Sequence, residues 1–195
     1  MRQPIVHILH GFNTDDGGAA SIKRWAPLFR RAGFTAVCHD LGLIGLLDVR
    51  WSNKRIVERL APLIKPGDHI VSFSNGTVIA HGLIQAGVKP ASVVCVASAL
   101  RRDAQWPDSL PVLNLASRKD HVLLLSRFWS RFVGRGHAWG SAGRHGFAPG
   151  TGARVANVFM DSSDWEHPVY THSGAFEPPA CGYWGGHAVQ WCRGV

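Results

Sequence analysis

The feature that most constrains this chain is a regular alternation of short apolar segments with longer segments of helical periodicity. Strands are predicted at six of the apolar segments, namely Ile5–Leu9, Thr35–Cys38, His69–Phe73, Ser92–Ala97, Val112–Ala116 and Val155–Met160. Strands that are apolar on both faces belong inside a parallel sheet that helices cover. The pattern therefore predicts an α/β protein whose mostly parallel six-stranded sheet has helices on both faces.

The segments between the strands supply the helices. Helices are predicted before Gly33, from about Asn53 to Ile64, between Ser74 and Gly87, and, as an amphipathic stripe, from Val122 to Val133. The length of 195 residues suits a single domain, 1–195, with one core. Glycines are dense in the segment 134–154, which predicts a long irregular loop with room for a short cap.

The charge balance and the absence of some sequence signals indicate which partners to expect. Lys and Arg outnumber Asp and Glu by 21 to 13, and the net charge of +8 favours anionic material in general. The basic residues form no stripe and no nucleic-acid signature is present, so nucleic acid is not the expected partner. No apolar run reaches the ~20 residues of a membrane span, and the N-terminus does not resemble a signal peptide. We expect a cytoplasmic protein, and the sequence leaves its oligomeric state open.

The four cysteines fit the expected cytoplasmic setting. Cys38 and Cys95 fall inside predicted strands, where free thiols behave as small apolar groups. A pairing of Cys181 with Cys192 remains open, but their spacing matches no metal or redox motif. No metal and no cofactor are expected.

Ser74 is the strongest candidate for a chemically active residue. It follows the third predicted strand and precedes a helix, and Gly76 stands two residues after it. This strand–turn–helix context is that of the G-x-S-x-G nucleophile elbow, although Ser72 replaces the first glycine. The helix aims its free amides at the turn, so the Asn75 N–H is placed to bind an oxyanion. The alternative is that Ser74 only caps the helix.

The elbow and the turn His10-Gly11-Phe12 after the first strand resemble the α/β-hydrolase superfamily, in particular its small esterase- and lipase-like members. The resemblance implies a minimal α/β-hydrolase fold from which the family's first two strands are absent. It also implies that Phe12 offers a second backbone N–H to the oxyanion. The alternative for this turn is a glycine-containing tight turn without a catalytic role.

In that family the acid and the histidine follow the nucleophile along the chain. Asp120, just past the fifth strand, resembles the family's acid, although aspartate is also a common helix cap. Asp103 is the weaker candidate because it follows an earlier strand. His172 is the first choice for the histidine because it lies in a loop before a predicted final helix, and His167 and His187 are the alternatives.

These residues together predict a serine hydrolase that cleaves carboxylic esters through an acyl-enzyme intermediate. The expected substrate is a small-molecule or lipid-like ester, and the sequence does not separate ester from amide cleavage. The alternative is a noncatalytic binding protein that keeps the fold and uses its basic surface.

Overall fold

A computed structural model describes residues 3–11, 16–42, 49–120, 139–160 and 180–195. Its strands form a six-stranded sheet in the order β2-β1-β3-β4-β5-β6, and every neighbouring pair is parallel. The strands are β1 (Ile5–Leu9), β2 (Thr35–His39), β3 (His69–Phe73), β4 (Ser92–Val96), β5 (Val112–Ala116) and β6 (Val155–Phe159). The predicted α/β class and all six predicted strands are confirmed, with ends that differ by at most one residue.

Helices lie between most of these strands, but the described residues that join β4 to β5 form none. The described helices are α1 (Ala26–Arg31), α2 (Val49–Leu60), α3 (Asn75–Gln85), α4 (Ala142–His145) and α5 (Ala180–Arg193). Helix α2 begins four residues before the predicted Asn53. A 3₁₀ turn at Ile22–Trp25 leads into α1, and another at Ala61–Leu63 follows α2. Proline at position 62 lies in this second turn, because it cannot continue α-helical hydrogen bonding. The predicted helix Val122–Val133 lies outside the described residues.

Apolar layers cover both faces of the sheet, as expected. On one face α1 and α5 pack on alternate strand residues, including Val6, Ile8, Val71 and Val94. On the other face α2 and α3 pack on the intervening residues, including Leu9, Ile70, Val93 and Cys95. Because side chains alternate across a strand, a run that is apolar throughout is buried on both sides.

The order of the strands creates a topological switch point at the carboxyl end of the sheet. β1 and β3 are neighbours, but β1 leads into α1 on one face, whereas β3 leads into α3 on the opposite face. In open parallel sheets, ligands bind at such a switch point. His10-Gly11 and Ser74 both lie there.

The glycine-rich segment is more ordered than its composition predicts. Instead of an irregular loop throughout, its described part contains helix α4 and an antiparallel bridge between Leu100 and Trp139. A Cβ on Gly140 would lie 2.4 Å from the Arg101 Cα, and one on Gly143 would lie 2.1 Å from the Ser98 nitrogen. These two glycines permit close backbone contact with the chain after β4, which is why their presence does not indicate irregularity.

None of the four cysteines is in a disulfide, so Cys181 and Cys192 do not form the pair that the sequence left open. Burial raises the pKa of Cys95, in the centre of β4, to about 12. Burial likewise raises the pKa of Cys192 to about 12. Such thiols are inert packing groups. Within the described parts of the chain, no helix has the length and apolar character needed to cross a membrane.

Candidate active site

Ser74 lies on a strained turn between β3 and α3. Its backbone adopts φ 53° and ψ −121°, a conformation that L-residues rarely occupy. The Ser74 N–H donates to the carbonyl oxygen of Val96 at 2.9 Å, so the turn is tied to the end of β4. A capping serine has an extended backbone and a hydroxyl that accepts a bond from the helix. Ser74 has neither feature, and its side chain makes no capping hydrogen bond. Its hydroxyl is therefore not used as a helix cap.

Gly76 makes the turn sterically possible. A Cβ at this position would lie 2.6 Å from the carbonyl oxygens of both Leu9 and His10, which are backbone atoms that cannot move aside. The start of α3 thus rests directly on the end of β1. Ser72, where the family motif has its first glycine, is fully buried and donates its hydroxyl to the Val94 carbonyl at 3.0 Å. The substitution at this position is accommodated without an unpaired hydroxyl.

A buried hydroxyl network holds the turn from below. The Thr77 hydroxyl donates to the Ser74 carbonyl at 2.6 Å and accepts from the Ser98 hydroxyl at 3.1 Å. It also accepts from the Ala99 N–H at 3.2 Å. Thr77 and Ser98 are both fully buried. One donor and two acceptors are in use, so the Thr77 hydroxyl is saturated and links the strained carbonyl to the chain after β4.

The His10-Gly11 turn lies against the elbow. A Cβ on Gly11 would lie 3.1 Å from the Ser74 Cβ, so a larger residue would press on the serine. The Leu41 N–H donates to His10 Nε2 at 3.0 Å, which requires His10 Nδ1 to carry the proton. Nδ1 then donates to the Gly11 carbonyl at 2.9 Å. Burial lowers the pKa of His10, which matches this neutral form. Phe12 lies outside the described residues.

Asn75 is the first residue of α3 and is almost fully buried. The first amide groups of a helix have no intrahelical acceptor, so its N–H is available at the turn. Its side-chain amide pairs with that of Asn53 on α2 through two hydrogen bonds of 2.9 and 3.0 Å. The Trp139 indole N–H donates to the same Asn75 oxygen at 3.2 Å.

Asp120 is buried in a turn just beyond β5, with 3% of its surface exposed. Its N–H donates to the Ser117 carbonyl at 3.1 Å, and its own carbonyl accepts from the Arg144 guanidinium at 3.1 Å. The Ser117 N–H in turn donates to Gly143 at 2.8 Å. The turn is thus braced by the segment containing α4.

Asp103 is in a different environment. Its carboxylate is exposed and forms a two-point ion pair with Arg101, with contacts of 2.6 and 2.8 Å. Hydrogen bonds from Arg101 lower the pKa of Asp103. An exposed carboxylate already paired with arginine is poorly suited to orient a histidine.

Only one of the three candidate histidines lies in the described part of the chain. His187 is in the interior of α5, where its ring lies 4.7 Å from the Tyr183 ring and 5.5 Å from the Trp184 ring. It is therefore a helix residue in an aromatic cluster. His172 and His167 lie outside the described residues, and the structure places neither of them relative to Ser74.

Asn53, Thr77, Ser98 and Trp139 are contributors to the site that the sequence analysis did not identify. Most of their partners lie far away along the chain, as with Asn53 and Asn75, which are 22 positions apart. No local motif marks these long-range pairs. The one available signal was position, because Ser98 follows the end of β4 and Asn53 and Thr77 lie in the first halves of α2 and α3.

The fold is shared with known hydrolases. An esterase from Pyrococcus furiosus superposes with a TM-score of 0.60 at 13% identity over 98% of this chain and 83% of that one. The mouse α/β-hydrolase domain-containing protein 10 gives 0.66 at 12% identity, with 97% and 90% covered. A monoacylglycerol lipase from Paleococcus ferrophilus gives 0.58 at 14% identity, with 97% and 95% covered.

No family model and no curated protein sequence matches the chain. The similarity is therefore one of three-dimensional structure. Together with the parallel sheet and the strand–turn–helix at Ser74, it shows that this chain has the α/β-hydrolase fold, as its sequence resemblance implied.

Proposed function

We propose that this chain is a serine hydrolase that cleaves carboxylic esters with Ser74 as its nucleophile. The observation that supports this most is the strained backbone of Ser74, at φ 53°, combined with a hydroxyl that does not cap the helix. Strain of this kind costs on the order of 1–3 kcal/mol and persists where the surroundings enforce it, often at functional sites. Here Gly76 and Gly11 leave room for the turn, and the hydrogen bond from Thr77 to the Ser74 carbonyl holds it.

The proposed reaction is acyl transfer to water in two steps. In the first, the Ser74 oxygen attacks the ester carbonyl carbon while His172 accepts the hydroxyl proton, which then passes to the departing alcohol. In the second, water attacks the acyl-serine, gives its proton to the histidine, and the carboxylic acid leaves as Ser74 regains its proton. Asp120 orients the histidine, in keeping with its burial after β5.

Two backbone amides are proposed to stabilise the negative oxygen of each tetrahedral intermediate. They belong to Asn75, at the start of α3, and to Phe12, the residue that follows Gly11 in the sequence. The contact between Gly11 and Ser74 supports this assignment because it brings that turn beside the nucleophile. Similarity to an esterase and a monoacylglycerol lipase supports a small or lipid-like ester as substrate.

The nucleophile is tested with a fluorophosphonate probe and a p-nitrophenyl ester. Wild-type protein should be labelled at Ser74, and Ser74→Ala should lose labelling and at least ~10⁴-fold in kcat, by analogy with the removal of other serine nucleophiles. Ser141→Ala is the matched control, because Ser141 also precedes a helix, is 8% exposed like Ser74, and makes no capping bond. Ser141→Ala should keep both the labelling by the probe and the hydrolysis of the ester. A folded wild-type protein that neither labels nor hydrolyses would favour the noncatalytic alternative.

The proposed histidine and the proposed acid are each tested beside their alternatives. His172→Ala should lower kcat by about 10⁴-fold or more, whereas His167→Ala and His187→Ala should change it little. Asp120→Ala should lower kcat by about 10³-fold or more, whereas Asp103→Ala should not. A large loss in a different member of either set would reassign that role and leave Ser74 in place.

A further inference from the structure

The side chain of Asn75 is held in one orientation by two residues from other parts of the chain. Its oxygen accepts from the Asn53 amide at 3.0 Å and from the Trp139 indole at 3.2 Å, and its amide nitrogen donates to the Asn53 oxygen at 2.9 Å. The indole N–H is only a donor, so its partner must be the Asn75 oxygen. This fixes the orientation of the Asn75 amide and, through the reciprocal pair, that of Asn53.

Both holding residues are themselves anchored. Asn53 lies on α2, which packs side by side with α3 over the same face of the sheet. Trp139 is bridged to Leu100, and the next residue, Gly140, donates its N–H to Ala99 at 2.7 Å. The three residues therefore connect α2, the start of α3 and the chain after β4.

The same residue carries the amide that the proposed function assigns to the oxyanion. An oxyanion donor works only within a few tenths of an ångström of the correct position, because its hydrogen bond must form with the transition state. With the side chain of Asn75 fixed and its carbonyl committed to α3, little freedom remains for the peptide between Ser74 and Asn75.

Building on the proposed function, we propose that Asn53 and Trp139 are positioning residues that aim the Asn75 N–H at the oxyanion. They touch neither the substrate nor the reacting atoms. Their loss should weaken binding of the transition state while leaving binding of the ground-state ester nearly unchanged.

The test compares kcat with KM in Asn53→Leu, which keeps the size of the side chain and removes both hydrogen bonds. We expect kcat to fall roughly 10- to 100-fold, below the 10²–10³-fold of complete donor removal, with KM changed less than about threefold. The affinity for a boronic acid, which mimics the tetrahedral oxyanion, should fall in parallel with kcat/KM. Trp139→Phe keeps the Asn pair and should give a smaller loss of the same kind, and it serves as the second variant if Asn53→Leu does not fold.

Two controls separate positioning from general damage. Ser52→Ala alters the neighbouring residue on α2 outside the pair, and Ser92→Ala removes the hydrogen bond with His69 at the amino ends of β3 and β4, away from Ser74. Both should keep wild-type kcat. If wild-type protein is active and Asn53→Leu and Trp139→Phe keep its kcat and boronate affinity, this inference is wrong and the proposed function stands. If wild-type protein itself shows no hydrolysis or labelling, the proposed function fails.

Discussion

Two neighbouring strands each end in a residue with positive φ, one carrying a hydroxyl group and the other a methyl group. Ser74 after β3 has φ 53° and Ala97 after β4 has φ 46°, and they are the only non-glycine residues with positive φ in the described part of the chain. Both sit over a close backbone contact that needs glycine, at Gly76 and at Gly143. One bend presents a hydroxyl and the other a methyl group.

The difference shows that strain alone does not identify a nucleophile. The bend at Ala97 lets the chain turn beneath α4, where Gly143 donates its N–H to Ser98 at 2.7 Å. The bend at Ser74 instead lies at the switch point between β1 and β3, beside the His10-Gly11 turn. The first bend has a packing role, and the second has a side chain that packing does not use.

The largest expected effect comes from filling the space beneath each bend. Gly143→Ala and Gly76→Ala should each lower the free energy of unfolding by more than about 2 kcal/mol, because the new methyl group would overlap backbone atoms. Gly186→Ala is the control, since a Cβ there meets nothing within 4 Å in α5. It should raise stability by roughly 0.5–1 kcal/mol. Chemical denaturation measures all three.

Equal stability in Gly143→Ala and wild-type protein would show that the bend at Ala97 is not held by close packing. The comparison between the two bends would then fail.

A smaller effect should come from acid, and it should fall on the half of the sheet that contains the Ser74 bend. Burial, together with the nearby His7 and Arg59, lowers the pKa of His39 to about 4, and burial also lowers the pKa of His10 and His69. An unfolded histidine has a pKa of about 6.5. Between about pH 6.5 and 4 the unfolded chain therefore binds more protons, and stability falls as the pH is lowered through this range.

The contact between His39 and His7 explains why His7 helps to lower the pKa of His39. His39 Nε2 lies 2.8 Å from His7 Nδ1, and His7 Nε2 lies 3.2 Å from the Asp68 carboxylate. Hydrogen exchange at pH 5 and pH 7 should show a larger loss of protection in β1–β3 than in β5 and β6. A uniform loss, or a larger loss in β5 and β6, would contradict this division of the sheet.

The smallest effect should come from relieving the strain itself. Glycine adopts positive φ without penalty, so Ala97→Gly should raise stability by about 1 kcal/mol or less, after the loss of a buried methyl group is counted. Ser74→Gly should exceed Ser74→Ala in stability by about 1–2 kcal/mol, because alanine keeps the strain. Thermal unfolding of these three variants and of the wild-type protein tests this. A Ser74→Gly variant less stable than Ser74→Ala would show that the bend is not strained.

The sequence predicted the parts of this molecule that depend on local pattern. All six strands followed from short apolar runs. The turn at Ser74 followed from the small residues Ser72 and Gly76, two positions before and after a serine between strand and helix. The glycines at 140 and 143 were misread as signs of irregularity, because composition does not reveal which backbone a glycine lies against. The pair of Asn53 and Asn75 depends on how α2 packs on α3, so no local pattern could predict it.

The buried thiol of Cys95 can report how fast the structure around it opens. With a pKa of about 12, Cys95 is almost entirely protonated near neutral pH while the chain is folded, and it lies two residues before the Ala97 bend. Alkylating reagents consume only the thiolate, and Cys95 is fully buried on the face of the sheet that α2 and α3 cover, so its modification must wait for that face to open. The rate at which Cys95 is alkylated therefore measures the rate of opening around β4.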